Sequence, residues 1–339
     1  MAKKNRNLKN KQEEEYLADE DFSSDEIEVY KPTKEDEDKE LNLDEEAYNL
    51  LEYIELEWPS QSIDICDSRI YIGTSSNDHK ANKNGSLIEI NLSNTNFQNL
   101  MWRRSNIGKY INKIRIMDYI FALDDTSLAK YDLNFNLLAE QTGHYGHAMF
   151  LTENEVFVGT ASGNVECYDH QLNKKFEFKI HEKAIEAIGY ENGMIFTGSS
   201  DHSLKISKVD GSLVDEIKMD SDVNCLDVRN GKVVYGDDNG LIGIYDVNSK
   251  SREVIEWHTS PISLIRWRDN DIFASGSDEQ LCLWDITLEE DPEIDFNKYL
   301  LFVHQGQKFY KDCCFEECKV ICTSQDGICI FEPISLASQ

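Results

Sequence analysis

The chain has 339 residues, of which 40% are hydrophobic and 10% aromatic, enough to form a sizeable core. Its 64 Asp and Glu against 34 Lys and Arg give a formal net charge of −30, which repels nucleic-acid phosphates and favours basic partners. No run approaches the roughly 18 apolar residues of a membrane-spanning helix, and the N-terminus has no apolar signal segment. We therefore expect a soluble, non-secreted protein with no direct contact to nucleic acid or membrane, whose nine cysteines are reduced.

Residues 1–42 combine a basic tip with an acidic arm. The first eleven residues contain five Lys and Arg, whereas residues 12–57 contain 20 acidic residues and three lysines. Segment 1–42 has too few apolar side chains to offset the entropy of ordering it, so we predict that it is disordered when free. The arm is either a solubilising tail or an electrostatic shield for a cationic client. The basic tip is a candidate nuclear localisation signal.

Residues 43–57 predict a short amphipathic helix followed by a closing segment. Asp44 suits the N-cap, and the two glutamates after it favour the positive end of a helix dipole. Apolar residues then recur at helical spacing, which predicts a helix over 44–54. Because so short a helix is marginal in water, we expect it to dock on the body of the protein. Its apolar and aromatic positions are Ala47, Tyr48, Leu50, Leu51 and Ile54.

From Trp58 onward one sequence pattern recurs seven times: a β-branched run, small residues, a polar turn, and a second run that ends near an acidic residue. The gaps between these ends are 41, 37, 41, 36, 39 and 47 residues. A period near forty, closed by Trp-Asp or an equivalent pair, is typical of WD-type propellers. We therefore predict that residues 58–339 form an all-β, seven-bladed WD-type β-propeller. The second runs end at Asn91, Asp132, Asp169, Asp210, Asp246, Asp285 and Glu332.

The end of the chain predicts how the ring closes. Only eight residues follow Phe331, too few for a turn and a fourth strand. The outermost strand of the last blade should therefore come from the N-terminal side, near Ile54–Trp58. Such closure removes the exposed sheet edges that an open array would leave.

Two histidine–aspartate pairs predict buried structural contacts. His181 and His258 precede the fourth and sixth units, where WD repeats place a structural histidine. Asp201 and Asp278 occupy the turns that this histidine's hydrogen-bond network reaches. We interpret both pairs as hydrogen-bonded supports inside the blades rather than as catalytic groups.

No sequence motif predicts catalysis. Glycine patterns that bind nucleotides, zinc-protease motifs and nucleophile elbows are all missing, and the cysteines between Cys313 and Cys322 lack the paired spacing of a zinc site. We predict a protein without enzymatic activity, catalytic residues, cofactor or metal. A propeller hydrolase would need His, Asp and Glu pointing into the central funnel, and the sequence shows no such set.

The longest gap reveals an acidic insertion after Trp284-Asp285. A solvated loop is the simplest interpretation. Alternatively, because the loop leaves the blade next to the one that the N-terminal segment closes, helix 44–54 and the loop could frame a groove. Such a groove would suit a basic amphipathic helix of a partner, with apolar anchors giving affinity and charges speeding encounter. The predicted partner-binding residues are Tyr48, Leu51 and Ile54 on the apolar wall and Glu289, Glu290, Asp291, Glu293 and Asp295 on the anionic wall.

Several segments resemble the glutamate-rich WD-repeat proteins, most closely at residues 258–267, 274–293, 300–306 and 326–335. Further matches are Val29-Tyr30-Lys31-Pro32, residues 43–48, Trp58-Pro59 and Ser62-Ile63-Asp64. The resemblance implies a nuclear and nucleolar assembly chaperone, with a possible cytoplasmic pool. It would hold a newly made basic ribosomal protein of the large subunit (the L-three protein) until that protein joins the pre-ribosome. We expect it to act as a monomer.

A second resemblance supports an alternative function. Glu57-Trp58-Pro59-Ser60 is similar to the corresponding segment of the retinoblastoma-binding histone chaperones. Proteins of that group hold a histone helix between an N-terminal helix and an acidic loop. By analogy, the alternative partner is a histone, bound between helix 44–54 and loop 288–297.

Overall fold

The computed structural model describes residues 43–75, 85–92, 102–289 and 297–337. The acidic arm and the basic tip lie outside these residues and remain predictions. The described chain forms seven four-stranded antiparallel sheets. The predicted seven-bladed propeller is therefore confirmed.

Blades 1 to 4 follow one another along the chain, each with its four strands in sequence order. Blade 1 contains β2 (Ser60–Cys66), β3 (Arg69–Thr74), β4 (Ser86–Asn91) and β5 (Trp102–Asn106). Blade 2 contains β6 (Lys113–Ile116), β7 (Ile120–Leu123), β8 (Ser127–Tyr131) and β9 (Leu137–Thr142). Blade 3 contains β10 (Tyr145–Leu151), β11 (Glu155–Thr160), β12 (Asn164–Asp169) and β13 (Lys174–Lys179). Blade 4 contains β14 (Ile185–Glu191), β15 (Met194–Ser199), β16 (Ser203–Lys208) and β17 (Leu213–Lys218).

Blades 5 to 7 complete the ring. Blade 5 contains β18 (Val223–Arg229), β19 (Lys232–Asp237), β20 (Leu241–Asp246) and β21 (Ser251–Glu256). Blade 6 contains β22 (Leu264–Trp267), β23 (Ile272–Gly276), β24 (Leu281–Asp285) and β25 (Leu300–His304). Blade 7 contains β26 (Asp312–Glu316), β27 (Lys319–Ser324), β28 (Gly327–Pro333) and, as its outermost strand, β1 (Tyr48–Glu55). A short helix, α1 (Ile334–Ala337), follows β28; no helix in the described part of the chain is long and apolar enough to cross a membrane.

The core consists of seven apolar clusters, one between each pair of neighbouring blades in the described chain. The middle strands of each blade are buried on both faces, which explains their continuous apolar runs, whereas outer strands such as β9 are largely exposed. The cluster between blades 5 and 6 combines Val234 and Ile255 of blade 5 with aromatic residues of blade 6, among them Phe273, which stacks on Trp284 at 6.3 Å. Blades are thus held together mainly by their neighbours' side chains.

Glycine is required where a hairpin turn meets the loop that enters the next blade. Gly163 lies in the turn between β11 and β12 with φ at +85°, and a Cβ there would come within 2.1 Å of the main-chain oxygen of His181. Gly240 occupies the corresponding turn of blade 5, against the main-chain oxygen of His258. The two glycines therefore allow the histidine-bearing loops to pack directly on the hairpins.

The N-terminal segment supplies the outermost strand of blade 7, as predicted, but this strand is Tyr48–Glu55, within the predicted helix, and not Ile54–Trp58. β1 pairs antiparallel with β28, with Leu51 opposite Phe331 and Glu55 opposite Gly327. Only Glu45–Ala47 is helical, as one 3₁₀ turn whose N-cap Asp44 accepts a hydrogen bond from the amide of Glu46. The predicted helix over 44–54 is wrong because the open edge of β28 offers a full ladder of main-chain hydrogen bonds. That long-range pairing outweighs a weak local helical preference.

Candidate partner-binding surfaces

The three predicted apolar-wall residues hold the closing strand in place. Tyr48 donates or accepts a 2.9 Å hydrogen bond with Nδ1 of His304, and its ring packs edge-on against Phe302 at 5.2 Å. Leu51 contacts the same cluster between blades 6 and 7, whereas Ile54 packs into the cluster between blades 7 and 1. The side chains therefore lie on opposite faces of one sheet and are half-buried. The prediction of a common apolar wall is wrong, because a strand alternates its side chains between faces.

The anionic wall is described only at its first residue. Glu289 is exposed, and Glu290, Asp291, Glu293 and Asp295 lie outside the described residues. Without the helix, the predicted helix–loop groove does not exist in that form. The base of the acidic loop does share a face of the propeller with the start of β1. The third strands of blades 6 and 7 end there, at Asp285 and Pro333, and Tyr48 pairs with Pro333.

His181 forms the predicted buried support in blade 4. Its Nδ1 lies 3.0 Å from the carboxylate of Asp201, and its Nε2 lies 2.8 Å from the hydroxyl of Thr197. Burial lowers the pKa of His181, although the Asp201 carboxylate opposes this shift. The contact joins the loop before blade 4 to the blade's own hairpin, so it is structural.

His258 uses different partners from those predicted. Its Nε2 lies 2.7 Å from the hydroxyl of Ser275, which also accepts a hydrogen bond from Nε1 of Trp284. Nδ1 of His258 has no hydrogen-bond partner among the described residues, so the predicted contact with Asp278 is wrong. The main chain of Asp278 instead accepts from the amide of Phe309, in the loop that enters blade 7. Burial alone lowers the pKa of His258 to about 4, which keeps the ring neutral at neutral pH.

A belt of charged residues, not predicted from the sequence, lies inside the central channel, which the first strands of the blades surround. Asp312 of blade 7 is its best-connected member. Its carboxylate accepts from Ser62 at 2.7 Å, from Lys113 at 3.0 Å and from Arg115 at 3.2 Å. Burial raises the pKa of Asp312, but Lys113, Arg115 and Arg266 outweigh burial and hold this pKa well below its ordinary value. Asp312 is therefore a buried, ionised link between blades 7, 1 and 2.

Two further carboxylates complete the belt. Asp64 accepts from the amide of Ile116 at 3.0 Å and pairs with Arg266 at 3.4 Å. Asp227 accepts from the amide of Trp267 at 2.8 Å. We expected no inward-facing set of His, Asp and Glu, and the aspartate part of that expectation is wrong, although these three carboxylates are engaged in ion pairs or main-chain hydrogen bonds. Within the described residues no cluster of three His, Cys, Asp or Glu side chains is arranged to hold a metal.

A sequence signal for the belt did exist. Asp64, Arg115, Asp227 and Arg266 occupy the same position of the first strand in four blades, opposite Tyr71, Phe121, Val234 and Ala274 of the second strands. Each is a charged residue inside an apolar run. Recurrence of charge at one position of a buried strand therefore indicates a shared polar channel.

Known proteins are similar to parts of this chain, although no family model matches it. It is 30% identical over 96 residues to the ribosome assembly protein rrb1 of Schizosaccharomyces pombe, covering 24% of this chain and 20% of that protein. It is 26% identical over 219 residues to the WD repeat-containing protein 55 homolog of Dictyostelium discoideum, covering 60% of this chain and 50% of that protein. The matches thus span half or less of these relatives.

A solved structure supports the fold independently. The WD40 β-propeller domain of Doa1 matches with a TM-score of 0.66 and 15% identity, over 84% of this chain and 96% of that one. At this identity the likeness concerns the fold alone. With seven four-stranded blades and an N-terminal closing strand, the chain is a seven-bladed β-propeller with the same fold as this WD40 domain.

Proposed function

We propose that this protein is a non-catalytic chaperone of ribosome assembly that shields a basic large-subunit ribosomal protein, the L-three protein. The observation that carries the proposal is the charge of the folded body. Residues 58–339 contain 44 acidic and 26 basic residues, a net charge of −18 without the arm. A propeller this acidic attracts basic polypeptides and repels nucleic acid. It would therefore occupy the RNA-binding surface of such a client before RNA does.

The similar proteins also support a role in ribosome assembly. One of them is named as a ribosome assembly protein. The present chain shares its propeller fold with a WD40 domain of known structure. The resemblance of residues 300–306 and 326–335 to the glutamate-rich WD-repeat group also favours the L-three protein as client. Action in the nucleus and nucleolus, as a monomer, follows from this proposal.

The acidic loop is the proposed contact for the client. Glu289, the first acid of this loop, is exposed and follows the third strand of blade 6, which ends on the same face as the start of the closing strand; the four acids after it lie outside the described residues. The loop would contribute mainly to encounter and selectivity, since exposed charges speed association more than they add affinity. The histone alternative depended on a helix that is absent from the described residues, so no structural observation favours it.

A competition experiment tests the proposal. The full chain is immobilised and offered equimolar L-three protein and core histones at 150 mM salt, with an acidic protein of similar size and charge as the matched control bait. We expect the L-three protein to be retained preferentially and the control bait to lack this preference. Preferential histone capture, or equal capture of every basic protein by both baits, would overturn the proposal.

A further inference from the structure

The central channel contains a cavity that the proposed function does not use. Its volume is about 400 Å³, within the range of sites that enclose small ligands. The cavity lies towards the end of the channel where the first strands begin. It is lined there by polar residues and deeper by the charged belt, so its two levels differ in chemistry.

The rim of the cavity is acidic. Three rim side chains hydrogen-bond to the hairpin turn of their own blade: Glu186 itself lines the cavity, and two turn aspartates lie next to the lining residues Asn112 and Asn224. Asp278 also lines the cavity, and Lys311 is the basic residue at the rim level among the described lining residues. A cationic group arriving at this end therefore meets more negative than positive charge. The three pairs are Asn112–Asp125 at 2.6 Å, Asn224–Asp238 at 2.7 Å and Ser200–Glu186 at 2.9 Å.

The interior has a surplus of hydrogen-bond donors. Lys113, Arg115 and Arg266 line the cavity, and together they offer about thirteen N–H donors. In the described part of the chain these donors reach three acceptor atoms: one oxygen of Asp312, one of Asp64 and the main-chain oxygen of Ile114. Arg115 and Arg266 lie three residues further along their strands than the rim residues, which places them about 10 Å deeper in the channel. A carboxylate entering this level would find several unused donors.

The two levels together select the orientation of a ligand. A lysine or arginine side chain inserted to full depth would meet three cations, and the carboxylates beside them, Asp64, Asp227 and Asp312, are already engaged in ion pairs or main-chain hydrogen bonds. A free small anion would have to pass the acidic rim of a protein with net charge −30. A chain end that carries its carboxylate first and basic residues behind it matches both levels. Capture of a C-terminal carboxylate is a known mode of peptide recognition.

We propose that the channel binds the C-terminal end of a basic polypeptide, with the terminal carboxylate against Lys113, Arg115 and Arg266 and the basic side chains against the acidic rim. This inference rests on the proposed function, because it specifies which part of a basic client the propeller holds. It is independent of the acidic loop, because strand β24, which precedes that loop, ends on the opposite face from the cavity.

Two peptides test the inference on the full chain. One is a fluorescein-labelled octapeptide of alternating Gly and Lys with a free C-terminal carboxylate, and the other is its C-terminal amide. We expect the free acid to bind at least tenfold more tightly at 150 mM salt. Equal binding of the acid and the amide would overturn the inference. The amide carries the larger positive charge, so attraction to the acidic protein through net charge alone would favour the amide and not the acid.

Variants locate the site. Arg266→Gln should abolish the difference between acid and amide, Asp278→Asn should weaken both, and the exposed Lys218→Gln should preserve the difference. A difference that persists in a folded Arg266→Gln protein would overturn the inference. If Arg266→Gln does not fold, Lys113→Gln takes its place, and the acid–amide comparison on the unsubstituted protein remains decisive. Retention of the L-three protein with no carboxylate dependence would refute this inference alone and leave the proposed function standing.

Discussion

The ammonium group of Lys113 in blade 2 lies 3.0 Å from the carboxylate of Asp312 in blade 7, with blade 1 between them. This contact joins blades that are not neighbours in the ring. Arg266 of blade 6 and Asp64 of blade 1 form a second link of the same kind, past blade 7. The apolar clusters pack each blade against the next, whereas these ion pairs connect blades that are not neighbours, across the central channel.

Removing Asp312 should therefore destabilise the whole propeller. The substitution Asp312→Asn leaves Lys113 and Arg115 largely buried without a carboxylate, and breaking such a pair costs about 3 kcal/mol or more. Urea unfolding should show this loss in the free energy of unfolding. The exposed Asp326→Asn in the same blade is the matched control, with an expected change below about 0.5 kcal/mol. Equal stability of the two variants would contradict the structural role of the belt.

His258 should give the protein a specific acid sensitivity. Its folded-state pKa of about 4 lies below its ordinary value, so between about pH 6.5 and 4 the unfolded chain binds a proton that the folded chain does not. Its contribution is complete above about pH 6.5 and is lost as the pH falls towards 4. His258→Asn should reduce the slope of unfolding free energy against pH by up to about 1.4 kcal/mol per unit.

The slope, measured by urea unfolding at several pH values, separates this effect from the general cost of substitution. His202, whose ring is 45% exposed, provides the matched control His202→Asn. An unchanged slope in the His258 variant would show that this ring does not stay neutral in the folded protein.

The closing strand should be more important for stability than the segment before it. A chain beginning at residue 43 retains β1 and should keep the melting temperature within about 2 °C of the full chain. A chain beginning at residue 57 exposes the edge of β28 and the clusters that Leu51 and Ile54 cover. It should melt at least about 10 °C lower and associate through the open edge. Differential scanning calorimetry and light scattering measure both effects, and similar melting of the two shortened chains would refute ring closure by β1.

Neutralising the acidic loop should weaken client binding without affecting folding. The substitutions Glu289→Gln, Glu290→Gln, Asp291→Asn, Glu293→Gln and Asp295→Asn should lower the association rate for the L-three protein by about three- to tenfold at low salt. The melting temperature should change by less than about 2 °C. Surface plasmon resonance at several salt concentrations measures the rates.

The control for the loop neutralises the same number of exposed acids elsewhere on the propeller. A loop variant that associates no more slowly than this control would assign the effect to net charge and not to the loop. The control carries Asp67→Asn, Glu153→Gln, Asp220→Asn, Glu279→Gln and Glu317→Gln.

Much of the fold could be read directly from the order of residues. Each blade repeats its own β-branched runs and polar turns, so strands such as β11 and β12 and their hairpin arise from interactions within a few residues. The sequence also led us to expect that the outermost strand of blade 7 comes from the N-terminal side, and β1 does pair with β28. The contact between His181 and Asp201 was predictable because it lies within one blade and its entry loop.

Contacts between distant parts of the chain required the tertiary structure. Residues 48–55 have helical apolar spacing, yet the free edge of β28 at the other end of the chain makes them a strand. The main-chain oxygen of Asp278 accepts from the amide of Phe309 in the next loop, and the Asp278 side chain makes no hydrogen bond with Nδ1 of His258. Net charge follows from composition, and the number of repeats and the strand pattern of each blade follow from local sequence, so the sequence alone was enough to predict all three. The closing strand and the trans-channel ion pairs depend on which segments meet when the ring forms, because pairing energy between remote residues outweighs weak local preference.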